Sequence, residues 1–138
     1  MKWLISKNNR PVSLNEIPVL YINELKAEIV RKYSENKRVI SFFGCKEYCH
    51  TRLYVILADD KSSELLISSV RFVESHSYIS ISKDIPGFHM FEREFYEEFG
   101  IEPLEHPWLK PVRKTENYPF FKMEGDEVHE VAVGPIHA

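Results

Sequence analysis

The sequence predicts an α+β domain of two layers, with a largely antiparallel sheet of about four strands, two main helices and an extended C-terminal arm. Three observations carry that prediction. Two segments repeat apolar residues at helical spacing, and several consecutive segments between them read as strands. A proline-rich stretch follows the second helix. Connections between the strand-like segments are short, as antiparallel neighbours allow and parallel neighbours do not.

Near the N-terminus, KWLIS fits either an edge strand or a loose arm. Ile22, Leu25, Ile29, Val30 and Tyr33 then mark an amphipathic helix from about Ile22 to Ser34. Pro18 precedes it, where proline does no harm. Residues 38–44 (RVISFFG), 51–58 (TRLYVILA) and 64–72 (ELLISSVRF) read as strands, and Asp59 and Asp60 supply a turn after the second. In residues 77–82 (SYISIS) the alternation sets Ile79 and Ile81 on one face, Ser80 and Ser82 on the other. Pro86 and Gly87 introduce the second helix. Phe88, Phe91, Phe95 and Phe99 make its apolar stripe, and Glu92, Arg93, Glu94, Glu97 and Glu98 occupy its other faces. Gly100 offers the left-handed stop, and Pro103, Pro107 and Pro111 forbid continuation.

At 138 residues, 43% apolar and 13% aromatic, the chain suffices for one globular domain with its own core. A net charge of -3 leaves no basic footprint for nucleic acid. No apolar run reaches the length of a membrane span, and MKWLISKNNRP lacks the apolar core of a signal peptide. The expectation is a cytoplasmic protein that meets a membrane only through partners. No internal repeat or low-complexity tract interrupts it. Residues 115–126 read as a linker lying against a surface, because free linkers rarely carry aromatics such as Tyr118, Phe120 and Phe121.

Catalytic chemistry finds little support. There is no Gly-rich phosphate loop, nucleophile elbow or His-Glu-x-x-His. Cys45, Cys49 and His50 lie within six positions and form the basis of the alternative reading, a small metal-binding enzyme. A structural metal site usually needs four ligands, and no second cysteine pair completes one. The helix carboxylates give the same alternative another form. Glu94 and Glu98 lie one turn apart, His89 and Glu92 have the i, i+3 spacing of di-iron helices, and Glu24 and Glu28 lie on the other helix. A surface ion-pair network, Arg93 with Glu97 for instance, is the simpler account. The chain is therefore expected to have no catalytic, cofactor or metal residue, and no activity on its own.

Docking explains more. The charged helix contributes Glu92, Arg93, Glu94 and Glu97, and the arm contributes His106, Pro107, Trp108, Leu109 and Arg113. Tryptophan and arginine are favoured interface anchors. Trp108 either stands out as such an anchor or folds back on its own sheet; the sequence leaves both open.

Residues 91–113, FEREFYEEFGIEPLEHPWLKPVR, join the helix to the arm, and they resemble the signature of the NADH–ubiquinone oxidoreductase 30-kDa family, a peripheral component of respiratory complex I. Glu92, Arg93, Glu94, Tyr96, Phe99, Gly100, Ile101, His106, Pro107 and Leu109 carry the match. Glu97 stands where that family usually has Asp, and Lys110 and Pro111 where it has paired arginines. Those departures are similar to the branch found in membrane-bound [NiFe] hydrogenases and formate hydrogenlyase, where such a domain is often fused to the large subunit. The tail EVHEVAVGPIHA, residues 127–138, looks like the opening of a group 4 hydrogenase large subunit. His137 matches the first His of the Gly-Pro-x-His element in the complex I relative of that large subunit, and is expected here to lie in a frayed tail. The resemblance implies a 30-kDa-type domain over residues 1–114. Residues 115–138 would be a linker and the start of a large-subunit-like region, apparently truncated. It further implies a non-catalytic assembly domain of an oxidoreductase complex, docked beside a large subunit and an iron–sulfur small subunit. The nickel–iron and iron–sulfur centres would lie in those partners, peripheral to a membrane arm.

Overall fold

A computed structural model describes residues 1–113 of the chain. The expected linker and tail, His137 included, lie outside the described residues. Strands β1 (Leu4–Ser6) and β2 (Val19–Leu20) precede helix α1 (Ile22–Ser34). The meander β3 (Arg38–Lys46), β4 (Thr51–Asp59) and β5 (Glu64–Phe72) follows. Strand β6 (Ser77–Ile79), a short 3-10 turn (Pro86–Phe88), helix α2 (His89–Phe99) and strand β7 (Glu102–Leu104) complete the order.

The fold is α+β, as expected. The main sheet runs β1-β5-β4-β3 with antiparallel neighbours, and β2 adds a short parallel pairing to β5. KWLIS resolves as an edge strand. Both helices pack against one face, where Leu25, Ile29, Phe42, Leu53, Val55, Phe88 and Phe95 form the principal core. Phe42 meets Phe88 and Phe95 nearly edge-to-face, at 5.6 and 5.8 Å between centroids. Such pairs add roughly 0.5–1.5 kcal/mol beyond the area they bury. Strand β3 reaches α2 through Gly44, where a Cβ would stand 2.7 Å from Phe95 Cε2.

The opposite face has a smaller core of Ile17, Tyr54 and Ile67 under the N-terminal loop. Buried Arg52 fastens that loop. It donates to the Leu14 and Ile17 carbonyls at 3.2 and 3.1 Å and to Ser69 Oγ at 3.1 Å, and lies over the Tyr54 ring. A buried guanidinium is tolerated because its donors find acceptors.

Helix α1 carries a second buried charge. Glu28 accepts from Lys2 Nζ (3.1 Å), Trp3 Nε1 (3.3 Å) and Arg31 Nη2 (2.7 Å). The Arg31 guanidinium first, with Lys2 and Trp3 against the opposing effect of burial, holds its carboxyl at about 2 instead of the ordinary 4.5. A depressed carboxyl pKa stabilises the fold above its unfolded value and ceases to do so as pH falls through the folded one. Stability is thus expected to fall between pH 4.5 and about 2. Urea unfolding of Glu28→Gln should show a flatter acid limb than the parent; parallel limbs would refute the assignment.

The SYISIS segment departs from expectation. Only Ser77–Ile79 is strand, and it pairs in parallel with β7 as a separate two-stranded sheet, with α2 in the crossover. Ile79 is 38% exposed whereas Ile81 is buried, and Ser80 and Ser82 are buried too. The chain leaves the strand at Ser80 because residues 80–82 turn to meet a carboxylate from α2.

Candidate functional site

Helix α2 follows Pro86 and ends on Gly100, whose φ of 69° is the left-handed stop read from the sequence. Phe88 and Phe95 are fully buried, and Phe91 and Phe99 pack at the core edge. The stripe is as expected. The faces beside it are not uniformly charged and outward.

Glu92 points inward and is fully buried. Its carboxylate accepts the Ser80 hydroxyl at 2.6 Å, the Ile81 N–H at 2.7 Å, the Ser82 N–H at 3.0 Å and the Ser82 hydroxyl. Burial, and then the Glu92 charge, push the neighbouring Tyr78 phenol well above its ordinary range. The reading of Glu92 as part of an exposed docking face is thus corrected. A buried, fully bonded carboxylate fixes the fold and reaches no partner.

Arg93 is corrected as well. Instead of pairing with Glu97, its guanidinium donates to the Lys110 and Pro111 carbonyls at 2.6 and 2.8 Å. It also stacks 5.0 Å from the Trp108 ring centre. One turn on, Glu97 accepts the Val112 N–H at 2.7 Å and the Arg113 N–H at 3.3 Å. The Val112 amide, then the Arg113 amide and guanidinium, hold the Glu97 carboxyl below its usual range. Arg113 adds ion pairs to Glu94 and Glu97. Two helix residues at i, i+4 therefore grip consecutive peptide groups of the arm. Residues 105–113 are strapped along α2 and do not project as an extended arm.

His106 shapes the turn that begins the strap. Its Nε2 lies 3.1 Å from the His89 carbonyl and its Nδ1 accepts the Trp108 N–H at 3.0 Å. Both contacts together need the neutral ring with the proton on Nε2. Pro107 follows, leaving Trp108 55% exposed. The Arg93 guanidinium and the Lys110 ammonium both lie over its ring, the latter 5.2 Å from the ring centre. Trp108 thus lies on α2 with an open face, and does not fold back on the sheet. Leu109 is half-buried against a niche shared with Tyr96 and Pro111. The structure brings together Arg93, Glu94, Glu97, His106, Trp108, Leu109 and Arg113. Sequence reasoning missed Lys110, which brings a second cation to Trp108, and Met90, whose Sδ lies 3.1 Å from Arg93 Nη1. The i, i+3 spacing of Met90 and Arg93 was the available signal.

The metal alternative has no geometric basis here. Cys45 and Cys49 are exposed thiols, Cys49 Sγ is 3.6 Å from His50 Nδ1, and His50 Nε2 faces Glu47. Glu28, Glu92 and Glu97 have their oxygens engaged as described, and Glu94 pairs with Arg113. Among the described residues, no three His, Cys, Asp or Glu side chains converge in a way that would hold a metal ion. No helix among them is long and apolar enough to cross a membrane. A cleft of about 470 Å³ between α1 and the 3-10 turn is bordered by Lys37 and Arg38, whose charges are taken by Asp59 and Asp60. What the site offers is an ordered strap along α2 that carries a half-exposed Trp108.

Comparison with family models gives a match. Residues 26–126 fit the model of the family described as the respiratory-chain NADH dehydrogenase, 30 Kd subunit. That span runs from within α1 through β3 to β7, α2 and the whole strap, and leaves out β1 and β2. No curated protein matches the chain.

Proposed function

The chain belongs to the respiratory-chain NADH dehydrogenase 30 Kd subunit family, and on that premise we propose that it is a non-catalytic assembly domain of a complex I-like electron-transfer complex. It carries no electron itself. It docks beside a large subunit and an iron–sulfur small subunit, which hold the redox centres. It meets the membrane, on the cytoplasmic side, only through them. The carrying observation is the strap, in which Arg93 and Glu97 fix the arm by its backbone and leave Trp108 half-exposed beside two cations. A large aromatic already ordered in the free protein loses little entropy on binding. It is the kind of anchor that dominates interface energetics.

Within this family we assign the chain to the hydrogenase-like branch of group 4 [NiFe] and formate hydrogenlyase type. Support comes from Glu97, Lys110 and Pro111 in the signature and from the resemblance of residues 127–138 to a large-subunit opening. The test is co-purification. Trp108→Ala with Leu109→Ala should lower retention of the large and small subunits by more than about 30-fold, the effect of losing a hot spot worth about 2 kcal/mol. The isolated domain should keep its thermal midpoint to within a few degrees, since both side chains lie on the strap. Unchanged assembly would remove the strap as a docking element.

A further inference from the structure

Strand β3 is an edge of the main sheet. Its backbone bonds β4 on one side, and on the other it has no backbone partner among the described residues. Edge strands of soluble proteins are normally blunted by charge, proline, a bulge or a covering element. The N-terminal part of β3 has two such devices, the Arg38–Asp60 ion pair and the irregularity between Val39 and Ser41. The following residues, Ser41 to Cys45, have none: S-F-F-G-C contains no charge and no proline. Phe43 is 45% exposed and held flat on Tyr54, with ring centroids 5.4 Å apart, while Tyr54 lies under Arg52. A flat, apolar, ordered edge of this kind is an aggregation hazard unless something pairs with it.

We infer that the open edge of β3, residues 41–46, receives an extended segment of another subunit of the assembly as an added strand. That segment presents an apolar side chain to Phe43 and a carboxylate to Lys46. The charge argument fixes the second feature. Lys46 is exposed at the end of the edge, and the adjacent Glu47 is turned to His50 and Arg52. A second copy of this chain fits poorly. Antiparallel self-pairing about Phe42 sets Arg38 against Lys46, a like-charge pair, and self-pairing about Phe43 sets Ile40 against Lys46, so neither register brings a carboxylate to the lysine. Main-chain hydrogen bonds would supply affinity, and Phe43 with Lys46 would supply selectivity. The inference uses the assembly role proposed above but is independent of the strap, so a failed Trp108 test leaves it standing.

The two native cysteines report on it. Cys45 lies on the edge and Cys49 in the hairpin turn, and both are exposed. In the purified assembly, alkylation of Cys45 by N-ethylmaleimide and amide exchange over residues 41–46 should be at least about tenfold slower than in the isolated chain, with Cys49 as the reference thiol. Lys46→Glu should weaken that protection about tenfold, equivalent to about 1.4 kcal/mol, without moving the thermal midpoint of the isolated chain. Equal rates in assembly and isolated chain overturn the inference, as does an unaffected Lys46→Glu assembly. Protection already present in the dilute isolated chain would assign the edge to the chain's own residues 114–138. Protection that grows with its concentration would assign the edge to a second copy. Either result overturns the proposal.

Discussion

Glu92→Ala is expected to lower the unfolding free energy by about 4 kcal/mol, and the thermal midpoint by roughly 12–16 °C. The reason is what stays behind. Ala removes the acceptor for two backbone N–H groups, at Ile81 and Ser82, and for the hydroxyls of Ser80 and Ser82. These donors are buried, and of the two N–H groups the one at Ser82 keeps a second acceptor, Ser80 Oγ at 3.1 Å, while that at Ile81 is left without one. Each stranded donor costs about 1–3 kcal/mol. The hydroxyls can rotate in part, so the total falls below the sum. Glu92→Gln should cost less, about 2 kcal/mol. Its Nε2 can donate to rotated serine hydroxyls, but cannot accept from the Ser82 N–H. Urea titration of both variants checks the order Ala above Gln above parent. A Gln variant as stable as the parent would show that the negative charge and its full acceptor set are not what the turn requires.

The second large effect is expected at Gly44. A Cβ there would stand 2.3 Å from Phe99 Cε2 and 2.7 Å from Phe95 Cε2. The two contacts differ in consequence. Phe99 is half-buried at the end of α2 and can swing outward, so the closer contact is the cheaper one to relieve. Phe95 is fully buried and meets Phe42, Phe72 and Tyr78 at 5.8, 5.9 and 6.4 Å, so it has nowhere to go. Gly44→Val is therefore expected to destabilise by about 3 kcal/mol despite the better strand propensity of valine. Pairing it with Phe95→Leu should recover part of the loss in a double-mutant cycle. Strict additivity would mean that α2 shifts as a body and that the Phe95 contact is not the obstacle.

Periodicity carried much of this architecture. Helix α1 has the bounds its apolar spacing indicates, β5 likewise, and Gly100 stops α2 in the conformation assigned to it. These features are local, fixed by residues within one or two turns of each other. The misreadings are all non-local. Ser80 and Ser82 look like the wet side of a strand, because nothing within their own segment shows a carboxylate arriving ten to twelve residues later. Once Glu92 is placed inside, the alternation of SYISIS stops describing a strand. Strand β7 was hidden by Pro103, which usually argues against a strand, and its partner lies on the far side of α2. At the proposed docking surface, residue types pointed to the helix and the arm, and Trp108 lies half-exposed there. The grip that orders it was not legible. It runs from side chains to peptide groups, and every residue but proline carries the same peptide group.

That grip has a consequence for how the surface can change. Arg93 and Glu97 recognise the carbonyls of Lys110 and Pro111 and the amides of Val112 and Arg113, atoms common to almost any sequence. Pro111 fits because only its carbonyl is used; proline at 112 or 113 would remove a gripped N–H. Path and lettering are thus uncoupled along this stretch. The side chain at 112 is free to change while the main chain keeps its course, whereas that at 110 also meets the Trp108 ring. The strap behaves as a rewritable stretch on a fixed holder, whose outward side chains can change without refolding the domain.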